Sequence, residues 1–261
     1  MTAWLHSYTL DSPAGVRIFT QPACVGDDLA ALSKASSVDF FRALAEGQFG
    51  PAPAVWDTTV GCFCVVQILN GGRYYFLPAA VKDTTGDTPE VIDVRAKRYE
   101  EPAGSGMWAV RTSEWPPEGA FSRRSGPLLI GDTVATGTTL AGVLDKICTA
   151  TAAAPRDVIV FAIAGSKVAL GALEPVAARL AAAGRRLVYV VANSQLGLAP
   201  NGTDLSIDED ATLPSAWEAT VEALGDGFPV RSLKCAVWDW GDRFTQPASH
   251  LEELIEYYDT L

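Results

Sequence analysis

Residues 128–140 read Leu128-Leu129-Ile130-Gly131-Asp132-Thr133-Val134-Ala135-Thr136-Gly137-Thr138-Thr139-Leu140. An apolar run of strand length comes first, and a helix-forming run follows the turn at Gly137. A strand that leads directly into a helix aims the unpaired N–H groups of the first helical turn at one point, where the helix dipole adds positive potential. Hydroxyls at positions 136, 138 and 139 add donors, so the segment predicts a phosphate-binding turn. An ordinary helix start capped by threonine is the alternative.

Apolar runs of strand length lie on both sides of this segment and include its own strand: Cys62–Leu69, Pro127–Ile130, Val158–Ala164 and Leu187–Val191. Their hydrophobicity is continuous rather than alternating, which is typical of strands covered on both faces. Helical stretches separate them, at Arg73–Lys82, Thr138–Ala150 and Ala169–Ala183. Strand and helix in alternation predict an α/β fold with a central parallel sheet flanked by helices.

The two ends of the chain depart from this alternation. Residues 4–10 and 16–20 are interpreted as two short strands, and Asp27–Glu46 as a helix, so residues 1–55 are expected to form an amino-terminal appendage. The rest, residues 56–261, forms the core and includes an insertion at 194–233 with a helical stretch near Ser215–Leu224. A last strand, Cys235–Trp240, precedes a helix at Ala248–Tyr258.

Composition bounds the function classes. The 261 residues are 48% hydrophobic, enough for one large core, and the formal net charge of -11 disfavours a nucleic-acid partner, which needs clustered cations. The five cysteines, at positions 24, 62, 64, 148 and 235, lack metal-ligand spacing and are interpreted as buried free thiols in a reducing compartment. No apolar run reaches the roughly 18 residues of a membrane helix, and residues 1–9 lack a leader pattern. A cytoplasmic protein without a membrane partner is expected.

Residues 128–140 resemble the loop of type I phosphoribosyltransferases that holds the 5-phosphate of phosphoribosyl pyrophosphate (PRPP). In that motif an apolar strand precedes two acids, two apolar residues, a small residue or aspartate, Thr, Gly, a variable residue and Ser or Thr. Asp132 matches the second acid, and Gly131 stands where the first acid usually is. The resemblance implies that Asp132 holds a ribose hydroxyl or, through water, Mg²⁺. The implied PRPP-binding residues of the loop are Asp132, Thr133, Ala135, Thr136, Gly137, Thr138 and Thr139.

A second segment, Leu69-Asn70-Gly71-Gly72-Arg73, resembles the pyrophosphate-binding loop of the hypoxanthine-guanine branch, which has lysine where Asn70 stands. Paired glycines leave backbone N–H groups free to meet pyrophosphate oxygens. The resemblance implies PRPP contacts from Asn70, Gly71 and Gly72. A plain strand-to-helix turn is the alternative, because glycine is the default turn residue.

The stretch from Asp93 to Tyr99, followed by Glu100–Gly106 and Met107–Thr112, resembles the second core strand and the mobile catalytic loop of the same family. The resemblance implies that Arg95, Lys97 and Arg98 offer cations to pyrophosphate, with a loop that closes over the reaction. A solvated basic strand edge is the alternative.

A looser resemblance links residues 238–244, Trp-Asp-Trp-Gly-Asp-Arg-Phe, to a segment near the carboxyl end of uracil phosphoribosyltransferases. It implies that Asp239, Trp240, Asp242 and Arg243 border the acceptor in the hood, the part of the family's fold outside its core. A surface ion pair and sheet-end packing are the alternatives.

Together these resemblances imply transfer of 5-phosphoribose from PRPP to a nitrogen nucleophile, with Mg²⁺ as cofactor and pyrophosphate as product. A nucleobase or a related heterocycle is the expected acceptor, and a homodimer is expected because the family commonly forms dimers. The alternative is a non-catalytic PRPP or nucleotide sensor, which Gly131 favours. A further alternative is an unrelated α/β protein with a helix-start phosphate site and no preference for PRPP.

Overall fold

A computed structural model describes residues 5–49, 63–69, 71–122, 126–151, 157–198, 205–206, 213–224 and 240–259. The strands within these ranges are β1 (Leu5–Leu10), β2 (Cys64–Leu69), β3 (Glu90–Glu100), β4 (Trp108–Glu114), β5 (Leu128–Gly131), β6 (Val158–Ala162), β7 (Gly165–Ser166), β8 (Leu187–Ala192), β9 (Gln195–Leu198) and β10 (Leu205–Ser206). The helices are α1 (Pro13–Thr20), α2 (Gly26–Ala45), α3 (Leu77–Thr85), α4 (Thr138–Ala150), α5 (Val168–Ala182), α6 (Pro214–Leu224), α7 (Asp242–Thr245) and α8 (Pro247–Asp259).

One large sheet organises the described part of the chain, with seven strands in the order β1-β8-β6-β5-β2-β3-β4. Its neighbouring strands are parallel except for β3 and β4, which form an antiparallel hairpin. A small sheet of β7, β9 and β10 accompanies it. The prediction of an α/β fold with a mostly parallel central sheet flanked by helices is therefore confirmed.

Two apolar layers cover the faces of this sheet. Leu128 and Ile130 of β5 pack with α4 and α5, whereas Leu129 packs on the opposite face with α1, α2 and α3. Because side chains alternate along a strand, residues buried on both faces require a continuous apolar sequence. That requirement explains the unbroken apolar run before Gly131.

The order of the strands creates a crevice between β2 and β5. From β2 the chain moves to β3 on one side, whereas from β5 it moves to β6 and β8 on the other side. Ligands of open α/β sheets bind outside the carboxyl ends of the strands at such a reversal. Both of the glycine-containing loops singled out in the sequence leave the sheet at this point.

The amino-terminal region differs from its sequence-based interpretation. Residues 16–20 form no strand but belong to α1, where Pro13 starts the helix and the Ser12 hydroxyl accepts a hydrogen bond from Gly15 N–H at 3.1 Å. Ser before Pro is a strong helix-start signal that overrides the local strand propensity. The described part of the expected appendage also joins the main sheet, because β1 pairs with β8 from Leu5 opposite Leu187 to Leu10 opposite Ala192.

Smaller differences concern the region after β2 and the carboxyl end. The helix expected at Arg73–Lys82 is a 3-10 turn at Gly72–Tyr75 followed by α3, because Phe76 between them has a left-handed backbone with φ 53°. The strand expected at Cys235–Trp240 lies outside the described residues apart from Trp240, which is in a turn. Cys64 is buried, but Cys24 and Cys148 are only half-buried, and Cys62 and Cys235 are not described. Within the described ranges, every helix is too short or too polar to cross a bilayer.

Candidate functional site

A cavity of about 250 Å³ lies at the carboxyl end of β5. It is lined by Arg98 and by the consecutive residues from Asp132 to Leu140. All seven loop residues predicted to bind PRPP between Asp132 and Thr139 therefore line one cavity.

Gly137 forms the turn that opens α4. Its φ is +77°, and a Cβ there would lie 3.0 Å from Ala169 Cα and 3.1 Å from Ala169 O, so the loop touches the backbone of α5. Left-handed backbone and close approach both require glycine. Gly137 has no side chain that could cap the helix. The Thr136 hydroxyl instead accepts a hydrogen bond from Thr138 N–H at 3.4 Å, and it lies 3.1 Å from the Thr138 hydroxyl.

Among the described residues, Arg98 is the cation that lines the cavity with this loop. It follows Ile92, Val94 and Ala96, the buried positions of β3, and its Nη1 lies 3.4 Å from Thr136 Oγ1. The guanidinium also lies 5.1 Å from the ring centroid of Trp108 on β4, a cation–π contact. The other cations expected here are placed differently. Lys97 is exposed, Arg95 Nε forms an ion pair with Glu114 Oε1 at 2.7 Å, and neither lines the cavity.

Asp132 brings the two predicted loops together. A Cβ at Gly71 would lie 3.7 Å from Asp132 Oδ1, so the Gly71-Gly72 turn is beside the carboxylate. Burial raises the pKa of the Asp132 carboxyl to about 7, although a hydrogen bond from the Thr133 backbone partly opposes the rise. The site thus holds an acid that gains or loses its proton close to neutral pH. Asn70 lies outside the described residues.

Tyr75 explains the glycine at position 131. A Cβ at Gly131 would lie 2.6 Å from both Cβ and Cγ of Tyr75, so the tyrosine ring fills the space that any side chain at 131 needs. The Tyr75 side chain is fully buried, and its hydroxyl lies 3.1 Å from Thr133 Oγ1 and accepts a hydrogen bond from Ile163 N–H at 3.2 Å. Burial raises the pKa of Tyr75, so the phenol stays protonated.

The described residues of the carboxyl-end segment 238–244 lie in two different environments. A Cβ at Gly71 would lie 3.7 Å from Trp240 Cδ1, so Trp240, itself buried, borders the Gly71-Gly72 turn. Arg243 is instead fully buried, where its guanidinium donates to Cys24 O at 2.7 and 3.2 Å and to Gln21 O at 3.1 Å. Asp242 accepts from the side chain of Gln246 at 3.3 Å, and neither Asp242 nor Arg243 lines the cavity. Asp239 lies outside the described residues.

Two residues support the site in a role that the sequence interpretation does not predict. One is Tyr75, which lies inside an aromatic run, Tyr74-Tyr75-Phe76, that carries no motif. The other is Ser166, whose hydroxyl donates to Ala135 O and accepts from Ala169 N–H at 3.0 Å, tying the loop to the start of α5. A serine just before a helix is the one signal that predicts such a capping contact.

The side chains at the cavity fit a Mg²⁺ that enters with a phosphorylated ligand. Asp132 supplies one carboxylate, and Mg²⁺ is usually held by one or two carboxylates, substrate phosphates and water. Within the described part of the chain, no group of three or more His, Cys, Asp or Glu side chains is placed to hold a metal ion.

The fold and cavity define a mostly parallel α/β protein with a cavity of about 250 Å³ at the reversal of its sheet. No family model and no curated protein matches the chain. Solved structures with local likeness include a Neisseria gonorrhoeae protein determined with bound ppGpp, at 16% identity and a TM-score of 0.34. That match covers 52% of this chain and 66% of the Neisseria chain, just under two thirds of its length.

Two further structures are of hypoxanthine phosphoribosyltransferase from Trypanosoma cruzi. One, from work on the role of its C-terminal region in oligomeric state and enzymatic activity, has 16% identity and a TM-score of 0.32, and covers 76% of this chain and 94% of that one. The other, a mutant form complexed with the product IMP, has 16% identity and a TM-score of 0.31, and covers 74% of this chain and 91% of that one. Likeness at this level leaves the function to be inferred from the residues of the site itself.

Proposed function

We propose that the chain is a phosphoribosyltransferase that moves 5-phosphoribose from PRPP to a nitrogen nucleophile and releases pyrophosphate. The observation that carries the proposal is the cavity lined by Arg98 and the 132–140 loop, whose Asp132 carboxylate lies beside the turn at Gly71. These groups supply hydroxyl donors, one cation and a carboxylate, which are the groups that a phosphorylated sugar needs.

Each part of the site has a role in this proposal. The N–H groups at the start of α4 and the hydroxyls of Thr136, Thr138 and Thr139 hold the 5-phosphate, where the helix dipole favours negative charge. Arg98 adds a charge-assisted hydrogen bond to a phosphate oxygen. Asp132 accepts a hydrogen bond from a ribose hydroxyl, or from a water bound to Mg²⁺.

The chemistry then follows from positioning and charge. The transition state is an oxocarbenium-like ribosyl centre, and its energy falls when the departing pyrophosphate is stabilised and the nucleophile is held in line. The backbone N–H groups at Gly71 and Gly72 face the departing pyrophosphate. When bound, Mg²⁺ supplies charge neutralisation of the pyrophosphate oxygens. Trp240, beside Gly71, is buried and packs against Tyr75 and Phe244, so in this proposal it supports the turn rather than contacting the acceptor.

Calorimetric titration with PRPP, with and without Mg²⁺, tests the binding half of the proposal. Ribose 5-phosphate and inorganic phosphate are the matched ligands, and Asp132→Asn is the matched variant. We expect PRPP to bind more tightly than either smaller ligand and to bind less tightly to the variant. Equal affinity for PRPP and inorganic phosphate would instead indicate a general phosphate site, and absence of PRPP binding at millimolar concentration would overturn the proposal.

Release of pyrophosphate tests the catalytic half. PRPP and Mg²⁺ are incubated with a panel of purine, pyrimidine and other nitrogen heterocycles, and pyrophosphate is measured by a coupled assay. Turnover with one acceptor, lost in Arg98→Ala, supports the transferase. A non-catalytic PRPP sensor is the second candidate, favoured by the absence of an acid at Gly131. PRPP binding without turnover across the panel would favour that sensor.

A further inference from the structure

Tyr75 is a fixed support beneath the PRPP loop rather than a residue free to move with it. Its carbonyl accepts a hydrogen bond from Ser37 Oγ on α2 at 2.6 Å, and its ring packs edge-on against Phe161 with centroids 6.0 Å apart. The ring also fills the space above Gly131. Helix α2 and the sheet therefore fix both the backbone and the ring of Tyr75, and the position of its hydroxyl with them.

The hydroxyl of Tyr75 has a defined hydrogen-bonding role. It accepts from Ile163 N–H at 3.2 Å, so its own proton needs an acceptor in this buried setting. Among the described residues, Thr133 Oγ1 is the acceptor within reach, at 3.1 Å. When the phenol donates to Thr133, the threonine proton is left to be donated elsewhere, and Thr133 lines the cavity.

We propose that Tyr75 is a positioning residue that fixes the Thr133 hydroxyl as a hydrogen-bond donor to the phosphorylated ligand, an inference that rests on the proposed function. The Tyr75 side chain also occupies the space that an acidic side chain at position 131 would need. One aromatic residue therefore prevents a second carboxylate at the site and orients the neutral hydroxyl of Thr133. The site therefore recognises the ribose phosphate through one carboxylate and a tyrosine-oriented hydroxyl.

A double-mutant cycle on the full chain tests the proposal. The dissociation constant for PRPP with Mg²⁺ is measured by calorimetry for the wild type, Tyr75→Phe, Thr133→Val and the double variant. Tyr75→Phe keeps the ring above Gly131 and removes only the hydroxyl. Each single variant is expected to weaken binding about tenfold, and the double variant is expected to weaken it by about the same factor, because both remove one linked interaction.

Matched controls separate positioning from general damage. Tyr189 is also fully buried, and within the described part of the chain its hydroxyl has no hydrogen-bond partner. Tyr189→Phe is expected to leave the affinity for PRPP within about twofold of the wild type. Thr133→Ser keeps the hydroxyl and is expected to retain most of the affinity.

The outcomes are distinguishable. Wild-type affinity in Tyr75→Phe, in a wild type that binds PRPP, overturns the positioning role alone. A loss of about a hundredfold in the double variant, the product of two independent tenfold losses, also overturns the positioning role. Such additivity would mean that Tyr75→Phe acts through the lost hydrogen bond from Ile163 N–H and not through Thr133. Failure of the wild type to bind PRPP overturns the proposed function, and this inference with it.

Discussion

The Arg98 guanidinium lies 3.4 Å from the Thr136 hydroxyl, which links strand β3 to the loop before α4. This contact leads to the first prediction. Arg98→Ala should raise the dissociation constant for PRPP at least tenfold, because a hydrogen bond to a charged group contributes roughly 1.5–3 kcal/mol. Calorimetric titration at constant ionic strength measures the change.

Lys97 is the matched control for Arg98. It is the preceding residue of the same strand, carries the same charge, is exposed and does not line the cavity. Lys97→Ala should change the affinity for PRPP less than about twofold. Equal losses in the two variants would show that the net charge of the strand, rather than the position of Arg98, governs binding.

Gly137 gives the second prediction. Gly137→Ala should lower the free energy of unfolding by roughly 1–3 kcal/mol, because φ is +77° and the new Cβ would lie 3.0 Å from Ala169 Cα. PRPP binding should fall with it. Gly171 in α5 is the control, since a Cβ there meets no atom within 4 Å. Gly171→Ala should stabilise the protein by about 0.5–1 kcal/mol, measured by urea denaturation.

Asp132 gives a prediction on pH. Its pKa in the folded protein is about 7, against an ordinary value of 3.8. Between these values the folded protein holds a proton that the unfolded chain releases, so the free energy of unfolding falls as pH rises from about 4 to 7. The contribution of this one group to the slope is at most about 1.4 kcal/mol per pH unit.

The Asp132→Asn variant isolates that contribution. Relative to the wild type, it should gain stability progressively from about pH 4 to pH 7, and the gain should level off above pH 7. Urea denaturation of both proteins across this range measures the difference. Parallel pH profiles would mean that the Asp132 carboxyl is ionised throughout, as an exposed aspartate is.

Arg243 gives the fourth prediction, on stability. Arg243→Met should lower the free energy of unfolding by roughly 2–4 kcal/mol, because it removes the hydrogen bonds that the buried guanidinium donates to the carbonyls of Gln21 and Cys24. Asp242→Asn, at the neighbouring half-exposed position, should cost less than about 0.5 kcal/mol. If Arg243→Met instead left stability unchanged and altered acceptor affinity in the transferase assay, the expected hood role would be supported.

Most of the sheet was predictable because its strands are buried on both faces. The continuous apolar runs at β2, β5, β6 and β8 are typical of strands covered on both faces, and helical patterns lie between them. Helix α1 is not predicted from the sequence, because the strand propensity of Val16 to Phe19 conceals the helix start at Ser12 and Pro13.

The loop from Asp132 to Leu140 is predictable from the sequence, but the residues that contact it are not. The turn at Gly137 is a local feature, whereas the choice among Arg95, Lys97 and Arg98 depends on which face of β3 each occupies. A register shift between Arg95 and Ala96 makes that face hard to read from alternation alone. The contact of Tyr75 with Gly131 joins residues 56 positions apart, and no local pattern encodes it.

The fit between Tyr75 and Gly131 also sets an order on evolutionary change. A carboxylate cannot be added at position 131 while the ring occupies the space 2.6 Å from the new Cβ. A lineage that moves between the one-acid and two-acid forms of this loop must therefore shrink residue 75 before it gains the acid, or lose the acid before it gains the ring. The two positions are expected to change together among relatives, and a chain with a large aromatic at 75 and an acid at 131 is expected to be rare.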